Sequence, residues 1–364
     1  MATGGATEQD LGRKGRARDT MRAIWKQEAG PGLRVGTAPI PAIGPREVLL
    51  KVRATSVCGT DAHIYAWDYW AAHRLKPPIV FGHEACGTVV EVGRDVSALT
   101  AGDFVSVESH IPCDRCPQCY TGQRHICRNL KILGVDVQGT FAEYVAIPAV
   151  CAWKNPPDLK PEIASIMEPL GNAVYATLAE PVTGKRVVVL GGGPIGLWAI
   201  GVAKASGARQ VLMTIKQEYS RGIAEAMGAD AVFHVDEVDP VEAILDSTEG
   251  YGADVVLEMS GAPAAIQQGL KVLTKGGRFT AFGIPPGAVE IDLAGDVIFK
   301  GARIIGINGR LMFETWVQMA GMLESGALDP TPVITHTLPL EEIEHAIQMM
   351  TSPDRECGKV VLLP

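Results

Sequence analysis

A thiol, an imidazole and a carboxylate bracket one stretch of this chain, Cys58 to Glu84, which reads CGTDAHIYAWDYWAAHRLKPPIVFGHE. Cys58 opens it and His83-Glu84 close it, with Thr60, Asp61, His63 and the aromatic run Trp67, Tyr69 and Trp70 between them. Cys, His and Glu are donors that Zn²⁺ favours, and a catalytic zinc needs three protein ligands and one exchangeable position. Cys58 and His83 are 25 residues apart, so a fold must bring them together. Gly59 and Gly82 beside them permit tight turns at those points. A buried thiol, a satisfied imidazole and a surface carboxylate is the competing reading of the same residues, and the rest of the chain has to decide.

A second donor set is denser. Cys113, Cys116, Cys119 and Cys127 have a C-x₂-C-x₂-C-x₇-C spacing. Three thiols two residues apart can wrap a tetrahedral ion, and a fourth from the loop closes the shell. The segment carries Asp114, Arg115, Gln118 and Arg124, which is too polar for cysteines that merely pack. An iron–sulfur cluster can use similar spacing, but the pattern, taken with the glycine turn further along the chain, favours a structural zinc. A closed thiolate shell leaves no position for substrate, so its role would be folding and loop anchoring.

The third chemical signal is backbone rather than side chain. Arg186-Val-Val-Val-Leu190 reads as a buried strand, Gly191-Gly-Gly193-Pro194-Ile195-Gly196 comes directly after it, and the next dozen residues read as helix. At a strand-to-helix junction the glycines make the turn, let amides approach a pyrophosphate and let the helix pack on the strand. A carboxylate about 20 residues further on ordinarily accepts hydrogen bonds from the ribose 2′-OH. Here the second strand ends Met213-Thr214-Ile215-Lys216. Ile215 cannot accept such bonds, while Lys216 and Arg221 could meet a 2′-phosphate, so the pattern favours NADP over NAD. Simple solvation of the two cations is the alternative.

The elements that must position these groups are legible in outline. With 364 residues the chain is long for one core, and two domains are expected. From Met21 to about Val150, short alternating runs such as Glu47–Thr55, Gly87–Gly93, Asp103–Ser109 and Phe141–Pro148 suggest a compact β-rich region. Beyond Lys185, six strand candidates alternate with helical stretches, the number of a doubly wound parallel sheet. Gly276-Gly277 reads as an ordinary turn between elements. After Gly309 come two helical stretches and a final strand, GKVVLLP, that could rejoin the β-rich region. His336 and His345 read as structural.

A net charge of −8 argues against a nucleic-acid surface. The eight cysteines in so long a chain are not a secreted disulfide scaffold. Residues 1–20 are rich in Gly, Thr and charge, lack a signal-peptide core and read as a disordered extension. The uncharged run Val187–Ala203 is broken by glycines and Pro194, so no membrane span is expected, and the cytoplasm is the default location.

The combination resembles the zinc-dependent medium-chain dehydrogenase/reductase superfamily and, within it, the L-threonine 3-dehydrogenases. The resemblance is carried by CGTDAHIYAWDYW, VFGHEACGTVVEVG, the four-cysteine segment, MEPLGNAV, GGGPIG, EMSGAP, FGIPPG and GRLMFETW. It implies an α/β chain with a GroES-like β-rich catalytic domain over 21–172, a Rossmann cofactor domain over 173–308 and a C-terminal return over 309–364. It implies Cys58, His83 and Glu168 as catalytic zinc ligands, with Glu84 beside the metal as an outer or exchanging ligand, and a second zinc on the four cysteines. Thr60 and His63 match proton-relay positions, and His110 a position near substrate. An acid is usual where Ile215 stands, so the cofactor assignment does not carry over directly. The resemblance further implies oxidation of an amino-alcohol by NAD(P), and a homotetramer. A polyol or butanediol-type secondary alcohol dehydrogenase is the nearest alternative, and a non-catalytic protein keeping only the cofactor fold is a more distant one.

Overall fold

The computed structural model describes residues 19–364. The expected N-terminal extension therefore lies outside the described residues except at its end, where Thr20 already opens the strand Thr20–Lys26. No helix among the described residues is long and apolar enough to cross a membrane.

The β-rich half is built around the strand Glu47–Ser56, whose neighbours are Glu84–Val92 on one side and Lys359–Leu363 on the other, with Tyr144–Pro148 also pairing to it. Glu84–Val92 continues to Phe104–Val107 and then Ala152–Lys154, and Lys359–Leu363 continues to Ile334–Pro339. Apolar residues at Val48, Leu50, Val52, Val89, Val105, Val145 and Ile147 close on one another in one cluster. The last strand of the chain thus sits directly against the first long one, in the register Val361 opposite Ser56. That register carries Lys359 towards the Cys58 loop. Helix α1 (Gly59–Ala66) leaves this sheet just after Ser56, and helix α2 (Met167–Leu178) packs across Glu84–Val92 and Phe104–Val107.

The second half is a six-stranded parallel sheet: β1 (Arg186–Leu190), β2 (Gln210–Ile215), β3 (Ala231–His234), β4 (Ala253–Glu258), β5 (Leu273–Ala281) and β6 (Arg303–Gly306), in the order β3-β2-β1-β4-β5-β6. This is the doubly wound order, with its switch point beside β1. Val187 to Leu190 are fully buried because helices cover both faces of the sheet. Gly276-Gly277 departs from the sequence expectation, because it lies inside β5. There the register jumps from Ala253 opposite Leu273 to Val255 opposite Arg278, and the glycines accommodate the irregularity.

Helix α3 (Pro194–Ala205) begins on the glycine turn, with Gly193 as N-cap and Pro194 in the first turn. Gly191 adopts φ +110°, open to glycine but strained for other residues. A Cβ at Gly196 would lie 2.1 Å from the Gly191 carbonyl, so only glycine lets helix and turn approach this closely. Helix α4 (Tyr219–Ala226) comes after β2, and helix α5 (Glu314–Glu324) returns after β6 to pack on α2, which also packs on α3. Helix α2, which carries Glu168, is therefore the element shared by the two halves.

Candidate active site

Cys58 is the N-cap of α1, and its backbone N–H donates to Asp61 Oδ2 at 2.8 Å. The other Asp61 oxygen lies 3.8 Å from His83 Nδ1, too far for a hydrogen bond but close enough for the two charges to interact. Asp61 is completely buried, and that burial raises its carboxyl to about 6. One ligand atom each from Cys58, His83 and Glu84 converge within 4.8 Å.

Glu84 uses one oxygen for the hydroxyl of Ser56 and the ammonium of Lys359. Its Oε1 is buried without a hydrogen-bond partner, as is His83 Nδ1. Burial alone would lower the His83 imidazole. The Cys58 thiolate, followed by Asp61 and Glu168, reverses this and raises it to about 10. A sulfur, an imidazole and an unsatisfied carboxylate oxygen converging in this way form a donor set that suits zinc.

Glu168 stands beside this cluster, within electrostatic reach of His83. It is not among the three converging donors. Its Oε1 accepts from Ser109 Oγ at 2.5 Å and pairs with Arg310 Nη2 at 2.9 Å. Arg310 is itself buried. That guanidinium donates through Nε to Glu108 Oε2 at 2.8 Å, through Nη1 to Asn172 Oδ1 at 3.0 Å and through Nη2 to Ser109 Oγ at 3.0 Å, and it also bonds Glu108 Oε1. Trp316 Nε1 and the His110 N–H complete the Glu108 carboxylate, each at 2.8 Å. Burial would raise the Glu168 carboxyl, but Arg310 and then His83 hold it below the usual range, so it remains ionised close to the imidazole.

His110 stands on the short strand His110–Ile111, within electrostatic reach of Glu168 and His83. Burial, with the Arg310 charge beside it, pushes its imidazole down to about 3, so at neutral pH it is an uncharged donor and acceptor. A Cβ at Gly309 would lie 2.4 Å from His110 Cε1, which explains the glycine preceding Arg310. Thr60 Oγ1 lies 3.7 Å from Cys58 Sγ, at the edge of the centre. His63 is exposed, with Nδ1 2.6 Å from Asp68 Oδ2, as suits a group that exchanges protons with solvent.

The four-cysteine lobe is gathered into one cluster. The Sγ atom of Cys116 lies 3.5 Å from that of Cys119 and 3.7 Å from that of Cys127. Thiolates held about 2.3 Å from a common centre have such separations. Backbone N–H groups of Cys113 and Asn129 each donate to Cys127 Sγ at 3.3 Å and partly offset the burial that pushes its thiol up. All cysteines among the described residues are free of disulfides.

At the glycine turn, Ser220 Oγ and Tyr219 Oη donate to the Gly192 carbonyl at 2.8 and 3.3 Å. Gly193, Pro194 and Ile195 lie partly open at the start of α3, and Ile215 is buried beneath Gly192. Lys216 is exposed at the end of β2. Arg221 is less available than its position suggested. It pairs with Glu218 at 2.6 Å and Glu237 at 3.4 Å and donates to the Val232 carbonyl at 3.0 Å.

Sequence reasoning passed over Glu108, Ser109, Arg310, Trp316, Ser56 and Lys359. A signal was present for two of them: Glu108 interrupts an apolar strand run, and Arg310 stands next to a glycine within a segment already singled out.

The alcohol dehydrogenase GroES-like domain matches residues 44–157, and the zinc-binding dehydrogenase domain matches residues 194–325. The L-threonine 3-dehydrogenase of Symbiobacterium thermophilum is 50% identical over 95% of this chain and 98% of its own length. The L-threonine 3-dehydrogenase of Bacillus subtilis is 49% identical over 94% of this chain and 99% of its own. A zinc-binding dehydrogenase of Sinorhizobium meliloti, solved bound to NADP, superimposes with a TM-score of 0.88 at 32% identity, covering 95% of this chain and 100% of that one.

Replacing Arg310 by Met strands the Glu108 and Glu168 carboxylates without a counter-charge. The expected loss is about 3–5 kcal/mol of unfolding free energy in a denaturant titration, partly restored by adding Glu108→Gln. A loss within the range of a surface substitution would show that Arg310 does not hold the network together.

Proposed function

Because this chain belongs to the zinc-binding dehydrogenases, within their L-threonine 3-dehydrogenase group, we propose that it oxidises the 3-hydroxyl of L-threonine to 2-amino-3-oxobutanoate. The protein is a nicotinamide-dependent oxidoreductase acting on a small molecule. The observation that carries the threonine reading is the cluster of Cys58, His83 and Glu84 beside Glu168 and an uncharged His110, in a chain half identical to L-threonine 3-dehydrogenases over nearly its whole length.

Cys58, His83 and Glu168 would hold the catalytic zinc, with Glu84 beside the metal as an outer or exchanging ligand, and Cys113, Cys116, Cys119 and Cys127 would hold the structural one. When bound, zinc lowers the pKa of a coordinated hydroxyl and the nicotinamide ring accepts hydride from the adjoining carbon. The remaining work belongs to the side chains. Asp61 fixes the Cys58 loop through the Cys58 N–H and places a carboxylate beside His83. Lys359 and Ser56 occupy one oxygen of Glu84, leaving the other directed at the centre. Arg310 pairs with one oxygen of Glu168 and, with His83, keeps this carboxylate ionised beside the cluster, where it would serve as a metal ligand. The Thr60 hydroxyl would accept the substrate proton as it gives up its own towards the cofactor ribose, and His63, its ring oriented by Asp68, would pass the proton on to solvent. His110 presents its neutral imidazole to the substrate's polar groups.

NADP is the proposed oxidant. Ile215 removes the acid that would select a free 2′-hydroxyl, and Lys216 stands exposed beside the position of a 2′-phosphate. The proposed assembly is a homotetramer. The edge strand β6 supports contact between copies, since it leaves Ile304 exposed, with Ile298 and Phe299 exposed just before it.

Steady-state reduction of NADP and of NAD should be faster with L-threonine than with L-serine or a plain secondary alcohol. Equal or lower turnover with threonine removes the substrate assignment. Ile215→Asp should raise the NAD-to-NADP ratio of kcat/KM about tenfold or more by restoring the ribose acceptor, and an unchanged ratio refutes the cofactor preference. Metal analysis should find about two zinc ions per chain and about one in Cys58→Ala. A single ion in the unmodified protein contradicts the two-site reading.

A further inference from the structure

Arg355 lies on the loop between the last helix, Ile343–Thr351, and the last strand, Lys359–Leu363, far along the chain from the glycine turn. Yet its guanidinium carbon is 5.3 Å from the centre of the Tyr219 ring. Tyr219 begins α4, and its hydroxyl donates to the carbonyl of Gly192, the middle glycine of the turn. One half-buried aromatic ring thus spans the distance from a cation in the C-terminal segment to the backbone that receives phosphates.

The state of that cation is informative. Nε donates to the Cys357 carbonyl at 2.7 Å and Nη2 to the Gly358 carbonyl at 2.9 Å, so the loop itself fixes the direction of the side chain. No carboxylate pairs with the guanidinium among the described residues. The Cys357 thiol lies beside it, but burial pushes that thiol up, so it stays uncharged at neutral pH. Arg221, by contrast, lies on the sheet side of the same helix with two carboxylates and a carbonyl already around it. A half-buried arginine, oriented by its own backbone and left without a counter-ion beside an anion-binding turn, has the properties of a phosphate ligand. The turn supplies amides and the α3 N-terminus, which bind a phosphate but leave its negative charge only partly compensated.

We propose that Arg355 binds a phosphate of the dinucleotide, reaching from the C-terminal segment to the glycine turn. This rests on the reading that the turn takes a nicotinamide dinucleotide, but not on which one. The chemistry is the same for the pyrophosphate and for a 2′-phosphate, and Tyr219 brings the guanidinium towards the region where β2 ends as well as to the turn. The same short segment places Lys359 against Glu84, so the last strand and its loop put one cation at the metal centre and one at the cofactor site.

The test is equilibrium binding to the intact protein, by calorimetry or tryptophan fluorescence, with NADP, NAD, ADP and 2′,5′-ADP as probes. Arg355→Gln keeps donors for the loop carbonyls and removes the charge, and Arg355→Lys keeps the charge. R355Q should weaken binding about tenfold or more, R355K should stay within about threefold of the unmodified protein, and both should melt at an unchanged temperature. Weakening confined to NADP and 2′,5′-ADP assigns the contact to the 2′-phosphate. Weakening of all four probes assigns it to the phosphates shared by them. If the unmodified protein binds the dinucleotides and R355Q binds every probe equally well, the proposal is overturned while the cofactor reading stands. If R355K and R355Q are weakened alike, the charge plays no part and the proposal is also overturned. An unmodified protein that binds none of the probes overturns both.

Discussion

Asp61, Glu84, Glu108 and Glu168 are buried in one region of the molecule, together with the partly buried Cys58 thiol. Removing a carboxylate from water costs several kcal/mol unless a cation and hydrogen bonds replace the lost hydration. Arg310 compensates Glu108 and Glu168, and Lys359 compensates Glu84, whose second oxygen is left without a partner beside Cys58 and His83. Both compensating cations come from the C-terminal part of the chain, and the carboxylates from the first half. The return of the chain after the parallel sheet is thus an electrostatic requirement of the site as well as a feature of topology.

The same constraint ties chemistry to packing. Helix α2 carries Glu168 at its first turn and packs on both α3 and α5, so the position of that carboxylate depends on helices from the cofactor-binding half. Arg310 lies between β6 and α5 and contacts Gly171 of α2, where any side chain would meet its Cδ at 2.8 Å. Trp316 of α5 donates to Glu108. Loss of packing among these helices would therefore expose unpaired charge, and loss of the charge pairs would loosen the helices.

Local signals were the ones legible in sequence. The four cysteines fall within fifteen residues, and the glycine turn with its strand and helix within twenty, so spacing alone conveys what they can do. The doubly wound sheet was legible because each buried strand is a continuous apolar run. Less legible were features that depend on partners. Arg221 looked free because Glu218 and Glu237 are ordinary surface acids until β3 and α4 bring them round it. The charge partner of Glu168 was not legible because the chain separates it from Arg310 by 142 residues. Gly276-Gly277 resembled a turn because nothing local distinguishes a turn from an irregular strand.

Residue identity and short-range spacing are enough to establish which donors exist, that four thiols lie close enough in sequence to share one ion, where a glycine turn opens a helix, and that an acid is missing at the end of the second strand. No distant contact is needed for any of these. The folded chain settles which cations pair with Glu84 and Glu168, and which arginine near the glycine turn lacks a carboxylate partner among the described residues. Those outcomes depend on buried charges from distant segments meeting where water is excluded, and a charge's environment is a property of the fold rather than of its neighbours along the chain.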